Sequence, residues 1–121
     1  MSGAEYTEYE AGRFATNVVI KGIGIGLSDT PIIYNVTMTN ADTEYSLALP
    51  TNTLKLLFRC QDNTITTRFS FITGKVAAPT TPYRTLFAGE VRDISGLNII
   101  TRTLYIACGI AGHIMEIEVW T

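Results

Sequence analysis

LKLLFRCQDNTITTRFSF, residues 54–71, holds two runs of alternating apolar and polar side chains on either side of Asp62-Asn63. Leu54, Leu56, Phe58 and Cys60 alternate with Lys55, Leu57 and Arg59. A period of two is the mark of a strand with one buried face. Asp62-Asn63 suits a tight turn, because both residues tolerate a left-handed backbone. The stretch therefore reads as a β-hairpin in which Gln61 pairs with Thr64. That register sets Leu56 opposite Phe69, Leu54 opposite Phe71 and Cys60 opposite Ile65, so every large apolar residue meets another on one face.

The flanking sequence repeats this grammar. On the N-terminal side, Ile32, Tyr34, Val36 and Met38 alternate with Ile33, Asn35, Thr37 and Thr39. Tyr45, Leu47 and Leu49 follow, and a turn at Ala41-Asp42 would set Val36 beside Leu47 and Tyr34 beside Leu49. Thr16–Lys21 reads as an earlier strand, with Val18 and Ile20 on one side and Val19 on the other. The glycines at 22, 24 and 26 lack the G-x-G-x-x-G spacing and the following helix of a dinucleotide site, and Pro31 closes any helix.

On the C-terminal side, residues 74–82 form an aperiodic loop with two prolines. Tyr83–Phe87 is a short strand, and Glu90–Ile94 an extended segment closed by Ser95-Gly96. The last block reads as another hairpin, pairing Cys108 with His113, Ile106 with Met115 and Leu104 with Ile117. Its other face would carry Tyr105 beside Glu116, with Ile114 and Trp120 nearby. Eight or so short strands, frequent turns and no helical period predict an all-β, antiparallel β-sandwich, with a jelly roll as one way of joining the strands. The expected core is Val18, Ile20, Tyr34, Val36, Leu47, Leu54, Leu56, Phe58, Phe69, Phe71, Leu104, Ile106, Ile117 and Val119.

Composition sets the remaining bounds. The 121 residues are 46% apolar and 17% charged. A charged fraction below the usual ~25% implies thorough burial or a surface covered by a partner. A net charge of −2 gives no basic surface for nucleic acid. No apolar run approaches the ~20 residues of a membrane span, and the acidic start is not a secretory signal. The expected organisation is an arm over residues 1–15 and one sandwich domain over 16–121. In the arm, Tyr6, Tyr9 and Phe14 lie among Glu5, Glu8 and Glu10, as a solvated terminus or as a segment that orders on a neighbour.

No catalytic constellation emerges. His113 stands alone at a turn, and two cysteines with one histidine make no four-ligand zinc site. Glu116 and Glu118 share a strand face, the pattern of a solvated surface rather than a glycosidase pair. No loop clusters oxygen ligands for calcium. The expectation is a non-enzyme with no cofactor and no metal. Cys60 and Cys108 fall on inward positions, as two buried thiols or, if their strands are adjacent with the right geometry, as a disulfide. The candidate contacts are therefore for protein. Lys55, Arg59 and Arg68 would share an outer face in the hairpin register, able to grip an acidic arm. Tyr105, Ile114 and Trp120 would form an aromatic and aliphatic patch.

From Tyr45 to Thr121 the chain resembles small virion proteins of tailed bacteriophages. The likeness is carried by Leu49-Pro50, the strand from Leu54 to Asp62 with Arg59, then Arg68, Gly74-Lys75-Val76, Pro79, Tyr83, Leu86 and Gly89. It is most characteristic at Leu104-Tyr105, Ala107, Ala111-Gly112 and Glu116-Ile117-Glu118-Val119-Trp120. The resemblance implies a structural part made in the host cytoplasm and built into the virion. Capsid decoration by a trimer or other symmetric homo-oligomer, bound to major capsid or neck proteins, is the first expectation. The alternative is a carbohydrate- or receptor-binding module stacking sugars on Tyr83, Tyr105 and Trp120.

Overall fold

The computed structural model describes residues 30–99 and 102–121. The expected strand at Thr16–Lys21, and with it Val18 and Ile20, lies outside the described residues. Eight strands follow: β1 (Ile32–Met38), β2 (Tyr45–Leu49), β3 (Thr53–Cys60), β4 (Thr67–Ser70), β5 (Arg84–Leu86), β6 (Arg92–Ile99), β7 (Arg102–Cys108) and β8 (His113–Trp120). They form two antiparallel four-stranded sheets, in the orders β1-β8-β3-β6 and β2-β7-β4-β5.

One rule generates this wiring. β1 pairs with β8, β2 with β7, β3 with β6, and β4 with β5. The chain is one long hairpin wrapped around itself, which is the jelly roll. The wrap also puts β8 beside β3 and β7 beside β4, closing each sheet.

The alternation expected from the sequence is present, but the three expected hairpins are not. β1 and β2, β3 and β4, and β7 and β8 each lie in opposite sheets. Leu56 stands between Ile94 and Val119 in its sheet, not opposite Phe69. Val36 pairs with Met115 rather than Leu47. Ile106 lies between Tyr45 and Phe69 rather than beside Met115. The reason is that period two names the residues facing the core, while two inner faces of a sandwich satisfy it as well as one face of a hairpin. The link is visible at Phe58 and Phe69, whose rings meet edge to face across the core at 4.8 Å.

The connections confirm that the turns serve the wrap. Asp42 N–H donates to Cys108 O and Gly112 N–H to Met38 O, both at 2.8 Å, so the β1–β2 and β7–β8 connections brace each other. Asp42 has φ of 50°, the left-handed backbone expected of a turn aspartate, used here to cross between sheets. The strand expected to close at Ser95-Gly96 instead runs on to Ile99. Lys55 pairs with Ser95 and Thr53 with Ile99, so β6 bulges between those pairs. Gly96, with φ of +70°, supplies the backbone freedom the bulge needs.

Leu56, Phe58, Phe69, Leu104, Ile106, Ile117 and Val119 are buried, as expected. Tyr34, Val36, Leu47 and Phe71 pack against this core while half-exposed. Met38, Leu49, Val76, Leu86 and Met115 join it. Cys60 and Cys108 are buried free thiols. Burial pushes the Cys60 thiol up from its ordinary value.

Candidate functional site

The sandwich has two outer faces, and the described residues treat them differently. On the second sheet, Arg68 of β4 and Ala107 of β7 are paired outward-facing positions. Ala107 is nevertheless fully buried, because the 71–83 connection folds back over the sheet and plugs it with Val76, also 0% exposed. Arg68 is the clamp. Its Nε donates to Val76 O at 2.7 Å, and its Nη2 to Ala77 O at 3.2 Å and to Asp42 Oδ1 at 3.0 Å. Glu44 holds the far side, accepting from Gly74 N–H at 2.8 Å and Thr73 Oγ1 at 2.9 Å. Ser70 Oγ ties down the end by donating to Pro82 O at 2.8 Å.

The first sheet carries no such cover among the described residues. Its outward positions run in cross-strand rows. Ile33, Glu118, Leu57 and Asp93 form one; Asn35, Glu116 and Arg59 form the next. Trp120 and Lys55 are neighbours in a third. Ile33 is 59% exposed. A shallow concavity of about 350 Å³ lies over Ile33, Asn35, Leu57, Arg59, Glu116 and Glu118.

The charges on this face are partly matched. Arg59 Nε donates to Glu116 Oε1 at 3.1 Å, and Gln61 Nε2 to Glu116 Oε2 at 3.2 Å. These two donors, Gln61 first, hold the Glu116 carboxyl below the ordinary glutamate range. Lys55 Nζ lies 3.9 Å from Asp93 Oδ2. Glu118 sits between Ile33 and Leu57, with no salt bridge among the described residues. Trp120 is half-buried, and its indole N–H is covered without an acceptor among the described residues.

Two sequence-derived groupings are therefore corrected. Lys55 and Arg59 share the first outer face, but Arg68 lies in the other sheet and clamps a loop, so no trio of cations forms. Ile114 and Trp120 share a face with Glu116 and Glu118, whereas Tyr105 points outward from the second sheet. The same separation splits Trp120 from Tyr105 as a sugar-stacking pair. Tyr6, Tyr9 and Phe14 lie outside the described residues.

One end of the sandwich adds a feature that alternation had not flagged. The β5–β6 connection exposes Phe87 (66%) and Val91, and the β7–β8 connection exposes Ile110 (54%). These residues lie in turns, where a period-two reading carries no signal. At the same end Asp62 accepts from the Thr64 hydroxyl at 2.6 Å and the Thr64 N–H at 2.9 Å. Both bonds lower its carboxyl from the ordinary aspartate value. His113 Nδ1 is 3.9 Å from Asp62 Oδ2.

Among the described residues, no three His, Cys, Asp or Glu side chains are grouped to hold a metal ion. No helix in them is long and apolar enough to cross a membrane. Comparison with family models, curated proteins and solved structures finds no match.

Proposed function

We propose that this protein is a non-enzymatic structural component of a bacteriophage virion, a capsid decoration protein that binds coat subunits as a symmetric oligomer. The observation that carries the reading is the asymmetry of the sandwich among the described residues. One outer face is partly covered by the chain's own loop, over Arg68 and Ala107, and the other presents Ile33, Leu57 and Trp120 around a partly neutralised charge row. A mixed apolar and charged patch on a rigid sheet is the anatomy of a protein interface. Jelly rolls build viral coat domains and lectins alike, so the fold alone does not choose between them. The residue pattern from Tyr45 to Thr121 favours the virion, and the placing of Trp120 and Tyr105 in different sheets gives less support to a sugar platform that uses both.

The test is to mix purified protein with undecorated phage heads and follow co-sedimentation, with solution mass measured by light scattering. The expected result is binding by a symmetric oligomer, weakened roughly tenfold or more by Trp120→Ala, and also weakened by deletion of residues 1–15. Both variants should keep the wild-type unfolding transition. If both bind heads as wild type does, the interface assignment is wrong.

A further inference from the structure

The inner faces of the sandwich stack in layers, and the ring contact of Phe58 with Phe69 fixes one of them. Alternation brings each strand inward again two residues on. From Phe58 the next inward residue of β3 is Cys60. In the facing sheet Phe69 pairs with Ile106, and the next inward pair is Thr67 with Cys108. The 61–66 connection joins the end of β3 to the start of β4, so Cys60 and Thr67 lie at the same end of the sandwich. Cys60 and Cys108 therefore share the last layer, on facing sheets rather than on neighbouring strands of one sheet.

The surroundings fit a pair of sulfurs. One layer deeper, two rings fill the gap between the sheets. Here Cys60 looks toward Thr67 and Cys108, all small side chains. The backbone is fixed nearby, because Asp42 N–H donates to Cys108 O at 2.8 Å. Both cysteines are free and buried. Burial pushes the Cys60 thiol up, and the charge of an ionised Cys108 adds to that rise, which places the two sulfurs within electrostatic reach.

We propose that Cys60 and Cys108 join as an inter-sheet disulfide on oxidation, a redox-dependent staple at the end closed by the 61–66 connection. β-sandwiches elsewhere are stapled by a disulfide between their sheets. In reducing surroundings the pair stays as thiols, and in oxidising surroundings it closes. The inference is independent of any role on a particle.

The oxidant is a small-molecule disulfide, and the exchange balances in two steps. The Cys60 thiolate, at 6% exposure against 0% for Cys108, attacks one sulfur of oxidised glutathione and expels a glutathione thiolate. The Cys108 thiolate then attacks the Cys60 sulfur of the mixed disulfide and expels the second. The protein gives up two protons and two electrons, and the reagent becomes two molecules of glutathione.

The test adds oxidised glutathione to the folded full chain and reads intact mass, a non-reducing peptide map and the melting temperature. The expected product is a single chain lighter by two hydrogens, with the Cys60 and Cys108 peptides linked. Its melting temperature should rise by roughly 5 °C or more, and dithiothreitol should reverse the rise. Cys108→Ala should stop at the mixed disulfide on Cys60; if that variant does not fold, the wild-type map decides alone. Two unmodified thiols, under conditions that oxidise the unfolded chain, would overturn the proposal. So would a mixed disulfide that persists in the wild type, or a link only between chains. An internal link that lowers the melting temperature would also overturn it, by showing that the bond forms only when the sandwich is forced open.

Discussion

Among the described residues, the two outer faces of this sandwich start from the same kind of strand and end differently, one partly covered by a loop and the other without such a cover. Both sheets are four-stranded, antiparallel and built on period two. On the second sheet Arg68, with Glu44 and Ser70, fastens a proline-bearing loop as a cover over Ala107, burying Val76 with it. On the first sheet the arginine at the comparable outward position, Arg59, bonds a carboxylate on the neighbouring strand instead. One guanidinium holds backbone carbonyls; the other sits on a face that no described loop covers. What a cation does is decided by which groups its fork can reach, not by its place in an alternating pattern.

Removing the clamp should break this contrast most severely. Arg68→Ala leaves two loop carbonyls and Asp42 without their donor, and should cost about 2–3 kcal/mol, the worth of charge-assisted bonds in a largely covered site. Urea unfolding would measure the loss. Arg68→Lys should recover only part of it, because an ammonium lacks the planar fork. A full recovery would show that charge alone holds the loop.

On the open face the expected effects on stability are smaller. Ile33→Lys should shift stability by no more than about 0.5 kcal/mol, since the side chain is mostly in solvent. It should nevertheless reduce head binding in the co-sedimentation assay. A large loss of stability instead would mean that this face is covered in the folded chain.

The smallest effect concerns acid. Glu116 has a folded-state pKa below its ordinary value, so protons bind the unfolded chain more readily and oppose folding. Its contribution is present at neutral pH and fades as pH falls below 4.5, the ordinary glutamate value. Glu116→Gln should therefore flatten the acid limb of the melting temperature against pH. Asp62, lowered in the same direction by Thr64, should leave a residual slope in that variant. An acid limb identical to wild type would remove Glu116 from the account.

The sequence made the inner faces legible and left the neighbours unreadable. Leu56, Phe58, Phe69, Ile106 and Ile117 could be assigned inward because alternation reports burial directly. Which strand lay beside β3 could not, because Asp62-Asn63 is as good at bridging two sheets as at closing a hairpin. The patch of Ile114, Glu116, Glu118 and Trp120 was visible as one side of a strand. Its separation from Tyr105 depended on the wiring. The role of Arg68 was hidden for another reason. Its partners are backbone carbonyls of Val76 and Ala77, and a carbonyl leaves no trace in residue type.

The wrapped pairing also has a bearing on how the chain acquires its structure. β8 lies between β1 and β3, so the first sheet has no continuous ladder until the last strand of the wrap arrives. Its earliest and latest strands are partners, which makes the contacts that define it among the most distant in the chain. Such non-local topologies fold slowly, because loop closure precedes the contacts that reward it. During synthesis β1 and β3 must wait for β8, with the edges it will pair still open to a wrong neighbour.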